Sequence, residues 1–284
     1  MNEEEMIGGA TKARLAGNVA REDVARAARA AERKKEQVLP LPDVIAKPPS
    51  KADEYQNFPF RLRRDELDQK LGGGLPKHAF VVIEAKNTLG KSILAQRFTF
   101  GFLEHGLSVT YVSTELSLPG FFNQMKSLNY DVQDYMLSGQ MLFVSLYPHL
   151  GDSSIGDDIL NRLRVERLFE SDIIVFDALS EFVIPKEITR AESFDLITFF
   201  KKITSKGKSV VFCIDPDQFD NEFSSLLKSI CDVYLRLDVK EHFGKLTKII
   251  KIERFNGAMN EVESEIPFKV RPGIGIVIDI ASSS

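Results

Sequence analysis

Hydrophobic residues in the middle of the chain fall into short continuous runs that alternate with stretches of helical spacing. Runs of this kind are typical of strands buried on both faces of a parallel sheet. The predicted strands are residues 79–84, 107–113, 141–146, 173–177 and 209–214. Helical spacing predicts helices after Ser92 and at residues 121–128, 159–168 and 219–230. This alternation predicts an α/β fold with a mostly parallel central sheet.

After residue 231 the pattern changes from strand–helix to strand–strand. Strands are predicted at residues 233–237, 246–252 and 274–280, the first two joined by a loop around Phe243 and Gly244. Consecutive strands joined by short loops favour antiparallel hairpins. We therefore expect C-terminal antiparallel strands that extend the parallel sheet.

The first part of the chain differs in composition from the rest. Residues 10–38 are rich in alanine and arginine, which favours a solvated helix, and the prolines within residues 40–49 favour an extended linker. We interpret residues 1–55 as an N-terminal extension, helical or disordered, which either is mobile or docks on a partner or a membrane surface. Residues 56–284 are predicted to form one domain.

The strand at residues 79–84 is followed by a segment that ends like a phosphate-binding loop. Gly90, Lys91 and Ser92 match the end of the pattern G-x-x-x-x-G-K-[ST], and a helix is predicted after them. Backbone N–H groups and the dipole at a helix start favour an anion. Lys91 would contact the outer phosphates, and the Ser92 hydroxyl would ligate Mg²⁺. We predict a nucleotide site, with an ordinary strand–helix turn as the alternative.

Four more residues of this loop are candidates for contact with the nucleotide: Ala85, Asn87, Thr88 and Leu89. Ala85 stands where the pattern has its first glycine, and Thr88 and Leu89 stand where small residues often help the loop to wrap a phosphate. An unstrained threonine does not readily adopt a positive φ. We expect reduced nucleotide affinity or reduced hydrolysis.

Two carboxylates follow predicted strands at the edge where ligands of open α/β sheets bind. Asp177 ends the strand at residues 173–177, and Glu115 follows the strand at residues 107–113. Asp177 is the candidate for holding Mg²⁺ beside Ser92, usually through water, and Glu115 is the candidate for orienting a water for attack on the γ-phosphate. The alternatives are a helix cap for Asp177 and a first-turn helix acid for Glu115.

Polar residues near two other predicted strands are further candidates for contact with phosphate. Lys251 and Arg254 lie at the end of the strand predicted at residues 246–252. They are either hairpin cations that reach the γ-phosphate of a neighbouring subunit or residues of a solvated hairpin. Asp215 follows the strand at residues 209–214, and we favour a helix cap over a phosphate sensor for it.

Composition and charge narrow the classes of function. The net charge of −4 gives no global field that would recruit nucleic acid, so none is expected as a partner. Cys213 and Cys231 lie in or beside apolar runs, which indicates buried reduced thiols and a cytosolic protein. The start of the chain is acidic, unlike a signal peptide, and no apolar run approaches transmembrane length. The four histidines lack the spacing of metal ligands.

Four motifs follow one another along the chain: LDQKLGGGLP at residues 67–76, GKS at 90–92, STEL at 113–116 and IIVFDALS at 173–180. Their order and spacing resemble those of the KaiC-like branch of the RecA superfamily. Within that branch the chain is similar to accessory proteins of the archaeal motility machinery, the archaellum, through the segments at residues 96–116, 252–258 and 266–280. The resemblance covers residues 58–280.

The resemblance implies a RecA-like three-layer fold that binds ATP with Mg²⁺ and can assemble into a homo-oligomeric ring. It implies phosphate and Mg²⁺ contacts for Gly90, Lys91 and Ser92, a Mg²⁺ role for Asp177 and water activation by Glu115. It also maps the hairpin cations of KaiC-type proteins onto Lys251 and Arg254.

The resemblance also implies a regulatory or assembly role in the archaellum motor, with slow or no ATP hydrolysis. The implied partners are a separate motor ATPase and a membrane platform protein, at the cytoplasmic face of the membrane. KaiC has paired acids where Leu116 follows Glu115 here, which argues against fast turnover. The alternatives are a KaiC- or RecA-like ATPase that acts on DNA or another partner, and a scaffold whose nucleotide site is vestigial.

Overall fold

A computed structural model describes most of the chain after the N-terminal extension. The described residues are 50–86, 88–146, 166–178, 190–218, 221–242 and 245–279. The helix predicted within residues 10–38, most of the helix predicted at 159–168, and the loop residue Asn87 lie outside them. Residues 50–55 contact the domain, since the Ser50 hydroxyl donates to Asp172 Oδ2 at 2.6 Å. The domain boundary between residues 55 and 56 stays a prediction.

The strands form a two-stranded sheet and, within the described residues, a nine-stranded sheet. Their bounds are β1 Asn57–Phe58, β2 Leu75–Pro76, β3 Phe80–Glu84, β4 Val109–Ser113, β5 Met141–Ser145, β6 Ile173–Asp177, β7 Ser209–Ile214, β8 Val233–His242, β9 Lys245–Phe255, β10 Glu265–Arg271 and β11 Gly275–Ile278.

The helices precede or follow these strands. Their bounds are α1 Leu67–Lys70, α2 Lys91–Glu104, α3 Leu118–Ser127, α4 Gln133–Leu137, α5 Arg190–Ser205 and α6 Asn221–Ile230, with short 3₁₀ turns at Ala52–Glu54, Glu166–Phe169 and Pro216–Gln218. Among the described residues, none of the helices has the combined length and apolar character needed to cross a bilayer.

The large sheet is mostly parallel and ends in antiparallel strands, as predicted. Its strand order is β11-β10-β9-β8-β3-β7-β6-β4-β5. The six strands from β8 to β5 run parallel, while β9, β10 and β11 each pair antiparallel with their neighbour. Because β3 lies between β7 and β8, the loop after β3 emerges near the middle of the carboxyl edge.

Hydrophobic cores cover both faces of the sheet, which gives the three layers. Along β3, Val81 and Ile83 belong to the core that includes α2, while Phe80 and Val82 belong to the core that includes α5 and α6. Successive strand residues point to opposite faces, so an uninterrupted apolar run buries side chains in both cores.

Two of the longer elements, one strand and one helix, were not predicted from the sequence. Strand β10 was not predicted, because Pro267 and the charged residues Lys269 and Arg271 break its apolar pattern. In the structure Pro267 pairs with Ile249 of β9, and its carbonyl accepts the Asp279 N–H at 2.9 Å. Helix α5 was also not predicted; its apolar residues that are described, including Ile197 and Phe200, pack against the sheet.

Helix α2 holds a buried ion pair at the side facing the start of the domain. Arg97 is fully buried and binds Asp65 through two hydrogen bonds of 2.6 and 2.7 Å, while its Nη1 donates to the Phe60 carbonyl at 2.7 Å. Gly101, one turn further along, leaves room for this arrangement. A Cβ on Gly101 would lie 2.3 Å from the Phe60 oxygen and 2.7 Å from Arg97 Nη1.

Gly101→Ala is expected to lower the free energy of unfolding by about 1–2 kcal/mol, because overpacking outweighs the roughly 1 kcal/mol that alanine contributes in a helix. The matched control is Gly120→Ala in α3, whose Cβ would come no closer than 3.3 Å to the Ser117 side chain. Urea denaturation of both variants measures the difference. If Gly101→Ala had the same free energy of unfolding as Gly120→Ala, the packing argument would be wrong.

Candidate functional site

The phosphate-binding loop connects β3 to α2 at the carboxyl edge of the sheet. Ala85 continues the strand, since its N–H donates to the Ile214 carbonyl at 3.0 Å and its methyl group is buried. Gly90 is the N-cap of α2 and has φ 105° and ψ 31°. That left-handed conformation favours glycine, and it turns the chain directly into the helix. The first amides of α2 and the helix dipole therefore face the ligand edge.

Thr88 adopts a left-handed backbone conformation, which is unfavourable for threonine. Its φ is 81°, and its side chain is exposed. A non-glycine residue in the left-handed region costs about 1–2 kcal/mol. The loop is thus held in its bent form against the preference of one of its own residues.

The Lys91 ammonium lies at the centre of the site. Its Nζ is 3.3 Å from Glu115 Oε1, and only 7% of its side chain is exposed. Burial by itself lowers the pKa of Lys91, but the carboxylates of Glu115 and Asp177 outweigh it, so the pKa is raised. Lys91 is therefore charged at neutral pH. Glu115 is partly exposed, so it can leave the ammonium.

Ser92 and Asp177 meet directly beneath the loop. The Ser92 hydroxyl donates to Asp177 Oδ1 at 2.9 Å, and the Tyr111 hydroxyl donates to Asp177 Oδ2 at 2.7 Å. Burial raises the pKa of Asp177, although the hydrogen bonds from Tyr111 and Ser92 act in the opposite direction. Burial also raises the pKa of Tyr111 well above its ordinary value, which keeps it a proton donor to Asp177.

The register of β4 and β6 places Glu115 and Asp177 at the same edge. Ser113 lies opposite Asp177, and the Thr114 N–H donates to the Asp177 carbonyl at 2.9 Å. The Thr114 hydroxyl accepts the Ala178 N–H at 3.1 Å. These bonds fix the two strand ends to each other, so the distance between the carboxylates is set by backbone pairing rather than by flexible loops.

A cavity of 430 Å³ opens over this edge. It is lined by Thr88, Gly90, Lys91, Ser92, Ile93, Glu115 and Gln124. The sequence did not single out Gln124, whose Oε1 accepts a hydrogen bond of 3.2 Å from Gln96, a buried residue one turn after Ser92. The spacing of Ser92 and Gln96 on one helix face was the available signal, but the partner on α3 was not visible in the sequence.

The donor atoms fit Mg²⁺ bound together with phosphates. Mg²⁺ prefers oxygen ligands, keeps several waters, and is usually held by one or two protein side chains in addition to phosphate oxygens. Ser92 and Asp177 supply such oxygens beside the start of α2. Among the described residues, no cluster of three or more His, Cys, Asp or Glu side chains forms a separate metal site.

Of the two cations predicted on the C-terminal hairpin, Lys251 lies level with the last residue of β3, two strands away, and Arg254 lies farther from the phosphate loop. Lys251 is exposed and lies opposite Arg236 of β8. Arg254 donates to the Ser229 and Cys231 carbonyls, both at 3.0 Å, at the end of α6. Because β9 runs antiparallel to β8, its end lies toward the amino edge of the sheet, opposite the phosphate loop. A contact of either residue with a neighbouring subunit stays a prediction.

Asp215 caps a different element from the one predicted. Its Oδ1 accepts the Asp217 N–H at 3.0 Å and its carbonyl accepts the Gln218 N–H at 3.1 Å. These bonds stabilise the turn Pro216–Gln218, whereas α6 begins only at Asn221. The cap interpretation thus holds for the short turn after β7 rather than for the helix.

The region of the chain that carries this site is similar to known proteins. The model of the family described as "ATPase: KaiC" matches residues 65–283. The chain is 36% identical over 222 residues to the archaeal flagellar ATP-binding protein FlaH of Methanocaldococcus jannaschii, which covers 78% of this chain and 95% of that protein. It is 32% identical over 224 residues to the protein of the same name from Methanococcus voltae, with 78% and 97% covered.

Solved structures are similar over the same region. The crystal structure of the flagellar accessory protein FlaH from Methanocaldococcus jannaschii superposes with a TM-score of 0.72 at 31% identity, covering 79% of this chain and 99% of that chain. A KaiC-like protein from Pyrococcus horikoshii superposes with a TM-score of 0.61 at 19% identity, covering 77% and 100%, and supports the fold alone.

Proposed function

Because the chain belongs to the KaiC family of ATPases and, within it, to the archaeal flagellar FlaH proteins, we propose that it binds ATP and acts as a regulatory or assembly component of the archaellum motor. The observation that carries ATP binding is the convergence of the Lys91 ammonium, the start of α2 and the Ser92 hydroxyl, which is bonded to Asp177, on one cavity. Relatives with the printed names "flagellar" and "ATP-binding" support the rest.

In this proposal Lys91 and the first amides of α2 bind the phosphates of ATP. Ser92 and Asp177, which accepts the hydrogen bond from Tyr111, would hold Mg²⁺. Mg²⁺, when bound, neutralises phosphate charge. Residues Ala85, Thr88, Leu89 and Gly90 supply the backbone of the loop around the phosphates.

We propose that hydrolysis is slow or absent. Glu115 is the residue placed to orient a water, but its Oε1 is bound to Lys91 at 3.3 Å. A γ-phosphate would compete with Glu115 for the Lys91 ammonium, so Glu115 would leave this ion pair only when the nucleotide binds Lys91. Leu116 follows it where KaiC has a second acid, which leaves a single candidate base at this position.

The proposed partners are the motor ATPase and the membrane platform protein of the archaellum. The chain would act beside them at the cytoplasmic face of the membrane and would form a homo-oligomeric ring. The names of its relatives as archaeal flagellar proteins support these partners, and the RecA-like fold supports the ring.

Titration calorimetry with ATP, with and without Mg²⁺, tests the proposal on the full chain, together with phosphate release by the wild type and by Glu115→Gln. We expect both proteins to bind ATP, Mg²⁺ to strengthen binding, and turnover of about 10⁻² s⁻¹ or slower. Absence of ATP binding would overturn the proposal. Turnover near 1 s⁻¹ that Glu115→Gln abolishes would identify an active ATPase instead.

A filter-binding assay with single-stranded DNA separates the proposal from an ATPase that acts on nucleic acid. We expect no tight binding at any nucleotide concentration. Tight binding that rises in strength as salt is lowered would favour the DNA-dependent alternative.

A further inference from the structure

A lysine outside the cavity holds the back of the phosphate loop. Lys248, in strand β9, donates from Nζ to the Thr88 carbonyl at 3.1 Å and to the Leu89 carbonyl at 3.3 Å. It is half-buried and is not among the residues that line the cavity. Its ammonium therefore contacts the loop from the side of the carbonyl groups.

The register of the sheet explains how a residue so distant in sequence reaches the loop. Lys248 pairs with Val239 of β8, and β8 pairs in parallel with β3 as far as Glu84 and Arg236. The hairpin of β8 and β9 extends past that level, beside the loop that leaves β3. Lys248 is thus carried by a rigid strand rather than by a mobile loop.

The two carbonyls that Lys248 binds belong to the two residues that depart from the usual small-residue pattern. A loop that turns its N–H groups toward an anion turns carbonyl groups outward, where they need donors. Thr88 adds a conformational cost, because its φ of 81° is unfavourable for a residue with a Cβ. Charge-assisted hydrogen bonds to both carbonyls oppose that cost.

We propose that Lys248 is a positioning residue for nucleotide binding: it keeps the loop in its phosphate-binding conformation and compensates for threonine at position 88. The inference rests on the proposed function, since it assigns a role in the same ATP site. Lys248 acts through the backbone of Thr88 and Leu89 and does not itself contact the phosphates.

The test compares the ATP dissociation constants of five variants of the full chain with that of the wild type. Lys248→Met is expected to weaken ATP binding about tenfold, and Lys248→Arg to recover most of the loss, because a guanidinium can also donate to two carbonyls. The control is Lys245→Met, an exposed residue of the same strand, with affinity within about twofold of the wild type.

The remaining two variants are Thr88→Gly and the double variant that combines Thr88→Gly with Lys248→Met. Glycine takes a positive φ without strain, so loss of Lys248 is expected to cost about threefold in this background rather than tenfold. If Lys248 had only a structural role, its loss would lower ATP affinity equally in the wild-type and Thr88→Gly backgrounds, and Lys248→Arg would not recover the affinity.

The inference would be overturned if loss of Lys248 weakened ATP binding equally in the wild-type and Thr88→Gly backgrounds. It would also be overturned if the ATP affinity of Lys248→Met were within about twofold of the wild type. In both cases ATP binding by the wild type would uphold the proposed function. Absence of ATP binding by the wild type would overturn both. Thermal melting of the ligand-free proteins accompanies each titration, and we expect Lys248→Met to melt as Lys245→Met does. A large drop in melting temperature confined to Lys248→Met would assign the residue to general stability and overturn the inference.

Discussion

Lys91→Ala is expected to weaken ATP binding about 100-fold or more, because it removes the ammonium that would pair with the outer phosphates. The side chain is only 7% exposed, so water screens the interaction little. The carboxylates of Glu115 and Asp177 would then face the phosphates without a compensating positive charge. Titration calorimetry measures the loss in affinity.

Lys86→Ala is the matched control for this variant. Lys86 belongs to the same loop, but it is 65% exposed and its ion pair with Asp217 at 3.0 Å lies on the surface. Exposed ion pairs contribute about 0–1 kcal/mol, so affinity within about twofold of the wild type is expected. Light scattering with and without ATP follows ring assembly in parallel. If Lys91→Ala changed neither ATP binding nor assembly, the chain would be a scaffold with a vestigial site.

The predicted strands that became β6 and β7 coincide with the observed ones, and the reason is physical. Ile173–Asp177 and Ser209–Ile214 lie in the middle of the sheet, where both faces are covered and every position must be apolar or paired. Strand β10 lies nearer the edge among antiparallel strands, where alternation with charged residues and a proline is tolerated. Its pattern is therefore weaker than that of a central strand.

The candidate site likewise contains residues that the sequence predicts and residues that it does not. Lys91 and Ser92 are adjacent in sequence, and Glu115 and Asp177 end strands whose carboxyl ends share one edge, so their convergence follows from a parallel sheet. Tyr111 and Lys248 could not be found by that rule. Tyr111 reaches Asp177 through strand pairing, and Lys248 reaches the loop through the length of a hairpin, and both depend on register.

Direction along the hairpin explains the placement of Arg254. The sequence alone does not show whether β9 ends at the carboxyl edge of the sheet, beside the site, or at the amino edge. Because β9 runs antiparallel, each step beyond Lys251 moves toward the amino edge, and Arg254 lies beside the Ser229 and Cys231 carbonyls there. Lys248, three residues before Lys251, is the cation of this strand that contacts the loop.

Asp177→Asn is expected to reduce the strengthening of ATP binding by Mg²⁺ about 10- to 100-fold, the usual effect of removing a side chain that orients a metal's ligands. Asparagine can still accept the hydrogen bond from Tyr111 and can donate to the Ser92 hydroxyl, so the contacts around position 177 are kept. What is lost is the negative charge that attracts the cation. ATP titrations over a range of Mg²⁺ concentrations measure the effect.

The same substitution is expected to stabilise the protein in the absence of Mg²⁺. Burial raises the pKa of Asp177 above its ordinary value, so between the two values the unfolded chain is ionised while the folded protein keeps the proton. The unfolded state then binds fewer protons, and the contribution of Asp177 to stability falls as pH rises through that interval. Asparagine carries no such charge, so its advantage over aspartate should be present at about pH 7 and should shrink in acid.

Urea denaturation of the wild type and of Asp177→Asn at several pH values in metal-free buffer measures this difference, and acid effects common to both proteins cancel. An increase in stability together with a loss of Mg²⁺ response would indicate that the buried carboxylate is retained for the cation at a cost in stability. A variant that is less stable at neutral pH, with an unchanged response to Mg²⁺, would instead assign Asp177 to the packing of β4 against β6.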